Sequence, residues 1–314
     1  MSDKHTFALF TNQKLPDPQA TAPGAQLMLT DPEVWHQAAN VLRLMPEEAI
    51  TLFDGNNAAT ITIQTLKKGL IAGVVTAIEA TRPLTPAVHL YQGLLKKESF
   101  EAVAYCAAQM GATTLTPIIG KKIHRMWYSP KDNERLTKIM VAACQQAKQF
   151  VLPLIQEPVT VEQLCGQLRT PFAPFDASTE LSTGPFDWVA RSTFSPEQSR
   201  RVRANRSDTH SKASITNNGT IPPVRGEPVE PYERIKALLF EPDGKALMQA
   251  LTAINVNPAT TVYGLILGPE GGFTDEERQQ LEQAGADCYA LTPTILRSIE
   301  AATVALGALR SVGR

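Results

Sequence analysis

The stretch that most limits what this chain can fold into is TVYGLILGPEGGFTDEE, residues 261–277. Its apolar part, residues 262–267, has the length of a short strand and no polar alternation, as strands covered on both faces do. Thr274 and Glu277 stand three apart, the spacing of a capping box, so a helix is expected to start at Thr274. Leu281 and Ala284 continue its apolar face, and Gly285 is placed to stop it. Strand, Gly-rich turn and helix in that order put the turn at the carboxyl end of a strand, where α/β sheets hold nucleotide-like ligands. The turn is not a P-loop, because Phe273 and not Lys-Ser/Thr follows Gly272. It lacks G-x-G-x-x-G, and Glu270 inside it would repel a polyphosphate. Two readings remain: a tight structural turn, or close backbone approach to a ligand without phosphates.

A second unit follows directly. Residues 288–291 read as a strand, TPTILRS (292–298) as a turn, and Ser298 as the cap of a helix with Ala301, Ala305, Leu306 and Leu309 on one face. Two consecutive strand-turn-helix units with distinctive turns suggest one site built from two loops.

The rest of the chain changes character once. Up to residue 85 it reads mostly as β: AITLFDG, ATITIQTL and GLIAGVVTAI are short β-branched runs, and DPEVWHQAANVLRL is one helix. TRPLTP, residues 81–86, is a natural linker. Strands and helices then alternate. VHLYQGLL and TTLTPII read as strands. A helix follows the first, with Phe100, Val103, Ala107 and Met110 on one stripe and Gly111 ending it. A long helix carries Leu136, Ile139, Met140, Ala143 and Ala147 inward, and residues 236–241 are a further strand. That alternation means an α/β unit with a largely parallel sheet. Residues 185–234 break the pattern: no leucine occurs between Leu181 and Leu238, and Ser, Arg, Asn and Pro dominate. Such composition cannot bury enough apolar surface to order itself, so a disordered insertion is expected. Its Arg200, Arg201, Arg203 and Arg206 suit either phosphate contact or a plain surface loop.

Composition narrows the function classes. Lys+Arg 30 against Asp+Glu 31 gives no net positive charge, so an RNA partner would have to meet a local basic patch. The four cysteines form no C-x-x-C pair, which implies no zinc site and fits a reducing cytoplasm. Cys106 and Cys144 fall within apolar helical patterns as buried thiols. No signal peptide and no membrane span are expected from MSDKHTFALF or from any later run.

LILGPEGGFTDEE with LTPTILRSIEAATVAL resembles the RsmE family, SPOUT-class enzymes that methylate N3 of one uridine in 16S ribosomal RNA with S-adenosylmethionine. Three further segments carry the resemblance in order: HQAANVLRLMPEEAITLFDG (36–55), LLKKESFEAVAYCAAQMGATTLTPI (94–118) and QQAKQFVLPLI (145–155). The resemblance implies an α/β chain with an N-terminal PUA-like β-barrel, residues 1–83, and a C-terminal SPOUT domain with a trefoil knot, residues 86–314. It implies a cytoplasmic homodimer, a small-subunit RNA partner near the decoding centre, S-adenosylmethionine as cofactor, no membrane and no metal.

It also implies a site. Leu239, Phe240, Glu241, Leu267, Gly268, Glu270, Gly271, Gly272, Leu291, Ile295, Leu296 and Ser298 would surround the cofactor, largely through backbone groups. Arg297 would stabilise charge on the uracil, or else pair with Glu270 or Glu300 to staple the loop. Glu270 would take a ribose hydroxyl or the methionine ammonium, or else cap amides of its own turn. RNA contacts would come from Arg43, Lys96 and Lys97, and from the cluster Lys121, Lys122, His124 and Arg125 beside Trp127 and Tyr128, which would otherwise be a solvated loop. No histidine stands out as a base; His36 and His124 are equally suited to the surface. The chain departs from the family pattern at Thr292, where Gly is usual, at Ser298-Ile299-Glu300, where T-E-T is usual, and at Gln149, where Arg is usual. HTFALF also lacks the usual arginine beside its aromatic residue. Those departures keep two alternatives open: a non-catalytic RNA-binding or assembly factor with the same fold, and a SPOUT methyltransferase acting on another nucleotide.

Overall fold

The computed structural model describes residues 6–123, 128–169, 235–247 and 261–312. The expected insertion at 185–234 lies outside the described residues.

The first part of the chain builds one sheet of five strands: β1 (Phe7–Phe10), β2 (Gln26–Leu29), β3 (Ala49–Phe53), β4 (Asn57–Lys67) and β5 (Leu70–Ala80), in the order β1-β3-β4-β5-β2. β1 joins β3 in parallel and the other pairs are antiparallel. Helix α1 (Pro32–His36) starts where Asp31 accepts from the amides of Glu33 and Val34. The expected single helix does not continue: after His36 the chain widens into a π-helical turn, Gln37–Val41, closed by Leu42 N–H on Gln37 O at 2.9 Å. Arg43 then takes a left-handed φ of 53°, which ends the helix before Leu44.

Past the 81–86 linker lies a seven-stranded, all-parallel sheet. Its elements are β6 (Ala87–Gly93), α2 (Lys97–Gln109), β7 (Thr114–Ile119), α3 (Pro130–Ala147), β8 (Leu154–Ile155), β9 (Val159–Thr160) and α4 (Val161–Arg169). They continue with β10 (Lys236–Ala246), β11 (Val262–Leu267), α5 (Asp275–Gln283), β12 (Asp287–Ala290) and α6 (Ser298–Val312). The order is β12-β10-β11-β6-β7-β8, with β9 also on β7. Helices α2, α3 and α6 cover one face, α4 and α5 the other. Every residue of β11 is therefore buried. Tyr263, Leu265 and Leu267 point into one core, and Val262 and Ile266 into the opposite one.

The helix expectations hold with local shifts. Thr274 caps α5 with the full Thr274–Glu277 box, and Gly285 beyond it has φ +100°. On α3 the buried stripe is Leu136, Met140, Ala143 and Cys144, while Ala147 is exposed, because the helix ends at once in left-handed Lys148. On α6 it is Ala302 and not Ala301 that is fully buried beside Ala305, Leu306 and Leu309. β10 runs five residues further than the strand read from sequence, to Ala246.

Candidate functional site

The sheet reverses direction beside β6: the chain builds outward to β7 and β8, then returns to lay β11 and β10 on β6's other side. Such a switch leaves a crevice at the carboxyl ends of the strands. Here it is a cleft of about 720 Å³. Three separated segments wall it: the end of β10 (Phe240, Glu241, Pro242), the turn after β11 (Leu267 to Gly272), and the loop from Leu291 into α6. Lys96 and Ser99, at the start of α2, complete it. Phe240, Glu241, Leu267, Gly268, Glu270, Gly272, Leu291, Ile295, Leu296, Arg297 and Ser298, all expected at the site, do line it. Leu239 does not, because alternation along β10 sends its side chain into the α4–α5 core, where it is fully buried. Gly271 faces away, towards Lys122, whose side chain a Cβ there would meet at 3.6 Å.

The turn is held from beneath. Gly272, at φ +66°, closes it with an N–H bond of 2.8 Å to Pro269 O. Gly93 at the end of β6 packs so closely that a Cβ would come 2.3 Å from Pro269 N. The buried Gln92 amide donates to Gly268 O and to Gly93 O, each at 3.1 Å. Lys122 donates its ammonium to Gly271 O at 3.1 Å and Phe273 O at 2.9 Å. Glu277, only 2% exposed, accepts from the amides of Lys121 at 2.6 Å and Thr274 at 2.8 Å. Of these supports only the Thr274–Glu277 box is legible in the sequence. A glutamine inside the apolar run VHLYQGLL was the one available signal for Gln92.

Charge divides the cleft. Glu241 and Glu270 stand on the strand side. Lys96 and Arg297 stand beside the starts of α2 and α6, whose amide ends add positive potential. Arg297 is exposed and makes no ion pair with Glu270 or Glu300, although all three line the cleft. Glu270 is exposed and caps no amide of its turn. Among the described residues, neither side chain has a partner. Glu241 is half-buried, and that burial raises its carboxyl above the usual range.

The basic residues read as RNA contacts divide three ways. Lys96 lines the cleft. Lys97 is paired to Asp132 at 2.6 Å, Lys121 reaches Glu276 at 3.3 Å, and Lys122 is spent on the turn carbonyls. Arg43 is exposed in the loop between the π-helical turn and β3, beside exposed Val41 and Met45. His124, Arg125 and Trp127 lie outside the described residues. His36 is exposed, whereas His89, not considered from sequence, is buried in β6 and its pKa is lowered to about 4 by that burial.

Fold and cleft together define an α/β protein with a parallel sheet and, at its strand ends, a cleft walled by backbone turns. A profile of the RNA methyltransferase domain matches residues 82–191 and 228–310, and the chain belongs to that family. Relatives from Mycobacterium bovis and Mycobacterium tuberculosis, each called ribosomal RNA small subunit methyltransferase E, are 30% identical over 175 residues. That match covers 52% of this chain and 66% of each relative. The Buchnera aphidicola protein of the same name is 23% identical over 292 residues, covering 88% of this chain and 85% of its own. These names agree with the RsmE resemblance of the four sequence segments. Among solved structures, a ribosomal RNA small subunit methyltransferase E of Neisseria gonorrhoeae bound to S-adenosyl methionine superposes with a TM-score of 0.64. It covers 98% of both chains at 18% identity, which speaks for the fold.

Proposed function

We propose that the protein transfers a methyl group from S-adenosylmethionine to N3 of a uridine in 16S ribosomal RNA, near the decoding centre of the small subunit. The carrying observation is the cleft itself, which gathers three loops distant in sequence around a space of about 720 Å³. That volume lies within the roughly 300–1,000 Å³ common for small-molecule sites. Apolar Phe240, Leu267, Leu291 and Leu296 fit an adenosyl group, and Glu241 and Glu270 fit hydroxyls and an ammonium but not a polyphosphate.

S-adenosylmethionine bound there would supply an electrophilic methyl group. The chain's own part is placement and charge. The turn after β11 and the loop before α6 hold the ligand through backbone groups, and Gln92 and Lys122 keep the turn from yielding. Uridine N3 must lose its proton to become a nucleophile, and Arg297, unpaired among the described residues, holds the negative charge that results on the ring oxygens. Glu300 lines the cleft despite standing one place after the family's usual glutamate, so the altered turn retains a carboxylate at the site. The wider reading gives residues 1–83 to a PUA-like barrel and 86–314 to a SPOUT domain with a trefoil knot, acting as a cytoplasmic homodimer.

The test is incubation with methyl-labelled S-adenosylmethionine and small subunits from cells lacking the gene, followed by mass-spectrometric mapping. Label as 3-methyluridine at one site supports the reading. Cofactor binding without transfer points to another nucleotide. Loss of both leaves the non-catalytic RNA-binding alternative.

A further inference from the structure

β10 does not pair evenly with β12. Leu238, Leu239 and Phe240 face Asp287, Cys288 and Tyr289; then Lys245 faces Tyr289 again and Ala246 faces Ala290. Glu241-Pro242-Asp243-Gly244 therefore loops out of the ladder as a bulge, and pairing with β11 stops at Phe240. The bulge is firmly built. A Cβ on Gly244 would fall 2.4 Å from the Tyr289 carbonyl carbon, so only glycine lets the chain rejoin the strand. Arg278 of α5 grips Asp243 with Nη1, at 2.8 and 2.7 Å from the two carboxylate oxygens. Its Nε holds Glu282 at 3.1 Å, and Nη2 reaches Cys288 Sγ at 3.6 Å.

The bulge's first residues, Glu241 and Pro242, are cleft wall. Glu241 is half-buried, and among the described residues it makes no hydrogen bond. Its carboxylate is an acceptor held ready for something in the cleft, two residues from the one that Arg278 holds.

We propose that Arg278 and Asp243 are positioning residues for the cofactor: they fix the bulge so that Glu241 accepts a hydrogen bond from a hydroxyl or ammonium of the ligand. This deepens, and rests on, the reading of the cleft as an S-adenosylmethionine site. Neither residue touches the cleft, and neither was singled out from sequence. Five titratable groups lie close enough to Glu241 to act on it through charge: Arg278 and Glu282 from α5, Asp243 from the bulge, Lys122 from the loop after β7, and Cys288 on β12. Burial raises the Glu241 carboxyl; Arg278 and Lys122 lower it; Asp243 and Glu282 raise it. Affinity should therefore fall with pH as this carboxylate takes up a proton.

The experiment is calorimetric titration of the full chain with S-adenosylmethionine from pH 5 to 8, for wild type, Arg278→Gln, Asp243→Asn, Glu241→Gln and Arg278→Gln/Glu241→Gln, with thermal melting to confirm folding. Arg278→Gln and Asp243→Asn should each weaken binding about fivefold at pH 7, in line with a partly exposed ion pair. Their pH midpoints should move in opposite directions, upward without Arg278 and downward without the Asp243 charge. In the Glu241→Gln background Arg278→Gln should do nothing further. Wild-type affinity in both single variants overturns the proposal, as does an equal loss from Arg278→Gln whether or not Glu241 is present. Absence of wild-type binding overturns the cofactor reading and this one with it.

Discussion

Arg297 is an exposed guanidinium lining the cleft, and among the described residues it pairs with no carboxylate. It would act on charge that develops during reaction more than on the bound ligand. Arg297→Ala should lower kcat by about 10²- to 10³-fold, while the dissociation constant for S-adenosylmethionine stays within about twofold. Single-turnover methylation and calorimetry separate the two. His89 shows the opposite environment. It is 4% exposed on the central strand, and burial lowers its pKa from 6.5 to about 4. In the unfolded chain it takes up a proton near pH 6.5, whereas the folded chain resists until about pH 4. Stability attributable to this group is therefore complete above pH 6.5 and is lost as pH falls towards 4. The full loss is roughly 3 kcal/mol at about 1.4 kcal/mol per pKa unit. Urea unfolding between pH 4 and 7 should show that slope, and His89→Asn should flatten it.

Elements whose signals are local were legible. The Thr274–Glu277 box names the start of α5 because cap and partner are three residues apart, and residues 262–267 announce a doubly covered strand. What escaped reading is contact at long range. Lys122 meets a turn about 150 residues later, and Gln92 one about 175 residues later, so no pattern along the chain ties them to it. Lys122 reads as an RNA contact because it stands in a basic cluster beside aromatic residues, and in sequence a cation looks the same whether it meets phosphate or carbonyl. Lys122→Met should therefore weaken cofactor binding by about three- to tenfold, since two carbonyls of the turn lose a charged donor. A phosphate-contact role would instead spare cofactor affinity and reduce the salt dependence of RNA binding. Arg310 is a parallel case on α6. Among the described residues it has no carboxylate partner; its guanidinium donates to the carbonyls of Pro86 at 2.6 Å and Met110 at 3.0 Å, and to that of Gly111. Burial lowers its pKa to about 10. Arg310→Met should cost about 2–4 kcal/mol in denaturant unfolding, because it orphans carbonyls of the linker and of the α2 end together.

At the scale of the molecule, composition and alternation yielded a β part, a linker and an α/β part, yet not how the two sheets meet. Strand order is equally silent in sequence: nothing in residues 236–246 says that β10 lies between β11 and β12. The meeting point is aromatic. Phe10 and Phe53 of the first sheet stand edge-on at 5.5 Å, and Phe53 meets Phe150, just past α3, at 5.3 Å. Ala8, Phe10, Phe53 and Ala58 share one core with Leu136, Met140 and the α6 stripe. The seam therefore fixes the first sheet, with Arg43 in the loop that leads into its β3, relative to the cleft-bearing sheet. If a ribosomal RNA substrate is gripped by the first sheet and modified at the second, the seam sets the distance between grip and chemistry. Phe150→Ala removes a ring from that seam without touching a cleft residue. It should cost about 1–3 kcal/mol in stability. Among molecules still folded, it should leave the dissociation constant for S-adenosylmethionine unchanged while raising that for the small subunit several-fold. Filter binding of labelled subunits beside calorimetry of the cofactor reads both. Equal loss of both affinities would mean that the seam supports the cleft itself, and unchanged subunit binding would mean that the first sheet takes no part in holding the RNA.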